Sequence, residues 1–307
     1  MDGEFEGGER KPNTQGFKQT VGRLRSAKKS HIGHRASLDW RQDSSRVCAV
    51  AATEEIFSSV DDLLSVIVKS RTAEALVNDD ALRGLKISFD AQTPFSQFYP
   101  QEAIVALNPN RPKGDLINLL VRELRRAWQY GRGALVNPMS FEPEEAVLIN
   151  RAQQADALMV SIKVAWELKL LGEQEAWGFM VGSPMGNVTA AFESHAQKDF
   201  RTLNNGEASR AAYDRFFDGV NTKMHDKRLI HHMLLDDKGY MKAPAKARGL
   251  GMDIFRRLGE VPHSSNYLSM SGSKRAPNDS CYASIEDRSN ANFLWFIKFE
   301  RSFQEKE

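Results

Sequence analysis

The chain has 307 residues, 41% hydrophobic and 27% charged, and its 42 basic and 40 acidic side chains leave a formal net charge of +2. That length can bury a full-sized core, as one domain with appendages or two small ones, and the balanced charge gives no general preference for a polyanionic partner. No apolar run reaches the ~18–20 residues that cross a bilayer and no signal-peptide core opens the chain, so the expectation is a cytoplasmic protein that does not span a membrane.

Residues 1–46 read as a disordered tail, acidic first (Asp2, Glu4, Glu6, Glu9) and then basic (Lys18, Arg23, Arg25, Lys28, Lys29, Arg35). The basic stretch within residues 10–41 could meet nucleic acid or an anionic surface. From Glu54 to Ala81 the apolar residues Ile56, Val60, Leu63, Leu64, Ile67 and Val68 recur at helical spacing, which predicts a first helix. Leu85–Phe89 and Ala103–Leu107 read as two short strands, the second closed by turn residues at 108–112.

A helix follows, with Asp115 as its expected N-cap and an apolar stripe of Leu116, Leu120, Leu124 and Ala127, ending near Gly131 and Gly133. A long helix from about Pro143 to Leu171 carries apolar residues over so broad a face that it should be central. Shorter helices are expected near 188–196, 207–217, 227–235 and 252–258, with a flexible loop near 269–280 and a short aromatic element at 292–299. Two cysteines, Cys48 and Cys281, are too few for a disulfide scaffold and stand in no metal-ligand spacing.

The motif that carries chemistry is Arg122-Glu123-Leu124-Arg125-Arg126-Ala127-Trp128-Gln129. In a His-Glu-x-x-His helix two imidazoles one turn apart hold zinc, and the glutamate between them takes a proton from the metal-bound water. Here the histidine positions hold Arg122 and Arg126, whose guanidiniums stay protonated and have no lone pair to donate, and only the glutamate, Glu123, remains. On the long helix stands Gln154-Ala155-Asp156-Ala157, in the form of a Glu-Ala-Asp-Ala ligand motif with its glutamate replaced by Gln154. Taken alone, the first motif also fits a solvated, charged helix face.

Together the two motifs resemble an uncharacterised bacterial family of putative metallopeptidases, zincin-like, with a His-Glu-x-Arg-His-Ala-x-Gln helix followed by a Glu-Ala-Asp-Ala helix. The resemblance runs over about residues 80–240 and takes in Asn205-Gly206-Glu207-Ala208, the segment 211–217 and Met233-Leu234-Leu235. It implies an α+β, mostly α-helical fold: a zincin-like core over 47–182 (helix, short strands, motif helix, long second helix) and a helical C-terminal extension over 183–307. It places Glu123 at the general-base position, Arg122, Arg126 and Gln154 at the three ligand positions, and Asp156 as the residue that orients a ligand.

Zinc is expected in intact members of such a family and no metal is expected here. Arg122 or Arg126 would instead reach Glu123 or Asp156 and fill the metal's place with a charge-assisted hydrogen bond. The leading reading is therefore a catalytically inactive metallopeptidase-like protein that binds or regulates a protein or peptide. One alternative is weak or relocated metallopeptidase activity; another is an adaptor that uses the basic N-terminal tail. His225, His231 and His232 lie on one expected helix, but no pair of them has zinc-helix spacing, and a displaced metal site near them is left open by the sequence.

Overall fold

A computed structural model describes residues 25–26, 57–235, 249–269 and 275–304. The expected N-terminal tail lies outside these residues except for Arg25–Ser26, as do 54–56 of the first expected helix and 270–274 of the expected loop.

The first helical stretch is two helices, α1 (Val60–Ile67) and α2 (Arg71–Val77). Ser70 divides them. Its hydroxyl accepts from the Ala73 amide, which starts a new helix, and donates to Glu167 at 2.6 Å. Glu167 also accepts from the Thr72 amide and hydroxyl, so one carboxylate satisfies the open N-terminus of α2. Apolar periodicity alone could not register that cap.

The sheet contains β1 (Arg25–Ser26), β2 (Lys86–Phe89), β3 (Ser96–Tyr99) and β4 (Ile104–Leu107), in the order β1-β2-β4-β3. β2 and β4 are the two strands expected from sequence, and they pair in parallel with Ile87 opposite Val105. β3 was not expected. It pairs antiparallel to β4, with Ser96 opposite Leu107 and Tyr99 opposite Ile104.

The motif helix α3 (Lys113–Gly131) starts two residues before Asp115, on Pro112, and has no side-chain cap. Asp115 sits inside the helix and accepts from Arg111 Nε at 2.7 Å, so its carboxylate serves the first turn as an ion pair rather than as an N-cap. A short 3-10 turn, Pro138–Ser140, leads into the 28-residue helix α4 (Pro143–Leu170), which lies in the centre of the molecule as its broad apolar face requires. Its neighbours include α2, α3 and the later helices α5 (Glu175–Gly182), α8 (Glu207–Phe216) and α9 (Gly219–Leu234).

Close approach of α3 to α5 depends on Gly114, where a Cβ would stand 2.2 Å from the Glu175 carbonyl oxygen. Asn118 donates to the Ala176 carbonyl on the same seam. The remaining helices are α6 (Gly186–Lys198), α7 (Thr202–Asn205), α10 (Met252–Leu258) and α11 (Arg288–Gln304). The expected aromatic element at 292–299 is thus the middle of a 17-residue helix. One hydrophobic cluster runs from Phe57 to Ile297 and joins these elements. The molecule is mostly helical with a small sheet, as expected, and no described helix is long and apolar enough to cross a membrane.

Candidate functional site

Three faces of α3 meet three different neighbours. Residues 125 and 129, one turn apart, face α4; residues 122 and 126 lie on a second face, close enough to His225 of α9 for their charges to act on it; Glu123, about 100° further round, faces the sheet.

The face toward α4 is a buried hydrogen-bond hub. Asp156, fully buried, accepts from Arg125 Nε at 2.7 Å and Nη2 at 3.1 Å, from Gln129 Nε2 at 2.6 Å and from the Tyr267 hydroxyl at 2.8 Å. Arg125 is equally buried; its Nη2 also donates to the carbonyls of Leu258 and Glu260, each at 2.8 Å, beyond the last turn of α10. Its guanidinium lies 3.9 Å from the centre of the Trp128 ring, a cation–π contact in a desolvated place. Burial, and then the nearby Asp156 charge, push the Tyr267 hydroxyl well above the usual tyrosine range, so it stays a hydrogen-bond donor.

The sequence predicts that Arg122 or Arg126 reaches Glu123 or Asp156; Arg126 comes within 4.0 Å of Glu123, but neither arginine pairs with Asp156. The structure gives that role to Arg125. The reason is helical phase: residues at 122 and 126 point some 60° away from those at 125 and 129. Asp156 is engaged by Arg125, Gln129 and Tyr267, and no histidine is among its partners.

Toward the sheet, Glu123 is 6% exposed and accepts from the Ser96 hydroxyl on β3 at 2.7 Å. Its other oxygen lies 4.0 Å from Arg126 Nε, the outer limit of an ion pair. Arg122 is buried one turn earlier, and Gln154 is buried on α4 two residues before Asp156. A solvated charged face, the simpler reading of 122–129, is excluded by that burial.

On the third face stands His225 of α9, buried against Phe216 with ring centres 5.5 Å apart. Burial, then the charges of Arg122, Arg228, Arg126 and Arg151, push its pKa down to about 3, so the ring is neutral at physiological pH. The adjacent Asp226 is paired bidentately with Arg151 of α4, at 2.9 and 2.7 Å, and Arg151 Nη1 also donates to the Tyr282 and Ser284 carbonyls. His231 and His232 do not join His225: they lie less buried on the last turn of α9.

A family model described as the putative metallopeptidase family (DUF6782) matches residues 40–269, well over half of the chain. The chain belongs to that family. No curated protein and no solved structure matches it.

Whether the residues at the family's expected metal position suit zinc is a question of donors. Glu123 offers a carboxylate and Gln154 an amide oxygen, but Arg122 and Arg126 present guanidiniums, which repel a cation and have nothing to coordinate it with. Among the described residues no three His, Cys, Asp or Glu side chains converge as a metal ion would require. The donor set does not fit zinc.

Sequence reasoning passed over Arg125, Gln129, Ser96 and Tyr267. Two of them carried a signal, because Arg125 and Gln129 occupy the Arg and Gln of the His-Glu-x-Arg-His-Ala-x-Gln pattern that led to the family. Ser96 and Tyr267 carried none, lying in segments with neither pattern nor charge.

Proposed function

We propose that this chain is a metal-free member of its family that binds a protein or peptide and does not cleave it. The reading keeps the zincin-like core over 47–182 as the scaffold, with the helices of 183–307 as an extension around it. What carries it is one feature: both positions that flank the general-base glutamate hold arginine, Arg122 buried and Arg126 half-buried, where imidazoles would have to stand.

The scaffold and the hydrolytic site come apart in this sequence. Arg125, Gln129 and Asp156, which lock α3 to α4, are retained, so the helix pair is held without help from a metal. Glu123, in turn, is occupied by Ser96 and faces Arg126; with no metal-bound water beside it, it has no nucleophile to activate. Loss of hydrolysis with retention of the packed helix pair leaves recognition as the property that selection can still act on.

The test is a peptidase assay with the full chain. Incubated with a mixed peptide library in the presence of zinc, it should release no fragments above the rate of a Glu123→Gln variant. Cleavage that chelation abolishes and Glu123→Gln removes would overturn the reading and restore the enzyme.

A further inference from the structure

Helix α11 has two apolar faces. Leu294 and Ile297 are buried against the body, and Asn290 and Arg301 lie on the same side. On the opposite side Trp295, Phe296, Phe299 and Phe303 stand in the open, with Phe293 on the flank beside them, from 43% to 64% exposed. A helix that is apolar on both sides is one that expects to be covered on both.

The outer rings are already ordered. Trp295 stacks on Phe299 with centres 5.2 Å apart and planes 18° from parallel, and Phe299 meets Phe303 edge-on at 4.7 Å. These contacts at i, i+4 and i+8 make a continuous ladder along two turns, so little side-chain freedom is left to lose on association. The family match ends at residue 269, before this helix begins.

We propose that this aromatic face is where two copies of the chain meet, α11 against α11 about a two-fold axis. Area supports this choice. Five half-exposed aromatic side chains present about 500 Å² per chain, already at the upper end of what a soluble monomer leaves open. Two such faces together bury about 1,000 Å², which reaches the size of a specific interface, with Trp and Phe at its centre as such interfaces favour. A single patch that meets its own copy also closes the assembly at two subunits.

Charge favours a second copy over an anionic lipid surface. Lys298, beside the stripe, is answered within the chain by Glu144, and Arg301, on the body side, by Glu142 at 3.7 Å; Arg288, exposed at the start of the helix, is a single cation. Among the described residues beside the stripe no basic cluster is left to draw the helix to anionic lipid, and a net charge of +2 does little to keep two copies apart.

Sedimentation velocity of the full chain over about a hundredfold range of concentration tests this. The chain should sediment as a dimer. A Trp295→Ser/Phe299→Ser variant should weaken dimerisation at least about a hundredfold while keeping the circular dichroism spectrum of the parent. A Phe200→Glu substitution, at an exposed ring on a different element, should leave the dimer intact. A monomeric parent, a dimer that survives the double substitution, or equal disruption by Phe200→Glu would each overturn the proposal. So would a parent that remains monomeric and cosediments with phosphatidylcholine/phosphatidylserine vesicles through the same two residues.

Discussion

His225 shows how far the surroundings of one side chain reach. A histidine near four arginines is held neutral, with a pKa of about 3 against 6.5 for an unperturbed imidazole. As pH falls, the unfolded chain therefore takes up its proton first. The stability that depends on the neutral ring is complete above about pH 6.5 and drains as pH falls from there toward 3, at up to about 1.4 kcal/mol per pH unit. Between pH 6.5 and 5 this ring should account for roughly 2 kcal/mol of lost stability. Urea unfolding at the two pH values measures the loss, and a His225→Gln variant should lose most of that dependence. His232, lowered by burial and then by His231, titrates in the same direction and is retained in the variant, so the difference isolates His225. An equally steep dependence in His225→Gln would show that the ring is already protonated in the fold.

Helices α3 and α4 are joined by an ion pair of a kind that depends on both partners. Arg125 and Asp156 are both fully buried, and removing one leaves the other charged and dry. Arg125→Ala should therefore cost about 3–5 kcal/mol. Arg126→Ala should cost no more than about 1 kcal/mol, because its carboxylate partner is 4.0 Å away and its own side chain is 23% exposed. Chemical denaturation of the two variants separates these values, and the reverse order would contradict the geometry described here. Apolar residues with a Gly or Pro boundary made α4 and α10 legible in the sequence nearly to the residue, and α3 except for its start, which lies three residues before the one an Asp115 cap implies. Periodicity could not separate α1 from α2, because the separating element is a Ser70 cap completed by Glu167, nearly a hundred residues away. Nor could it find β3, a four-residue edge strand held by pairing with β4 and not by its own pattern. Asp156 was visible through the Gln-Ala-Asp-Ala motif. Its partner was not, since a ligand pattern draws attention to positions 122 and 126, and a helical projection does not say which neighbour each face will meet.

Over the whole molecule, a continuous core and the buried pairs Arg125–Asp156 and Arg151–Asp226 position α3, α4 and α9. Family membership gives the scaffold, and the residues at 122, 126 and 154 decide what can be done with it. Of the candidate site, the composition of the ligand positions could be read directly, while the burial of Arg122 and the nearness of both arginines to His225 needed the tertiary structure. The central claim is that permanent positive charge stands where a cation would have to bind. Zinc content, measured by plasma mass spectrometry after saturation with the metal and gel filtration of the full chain, tests it most directly. Far less than one zinc per chain is expected; one equivalent of zinc retained by the full chain after gel filtration would contradict this.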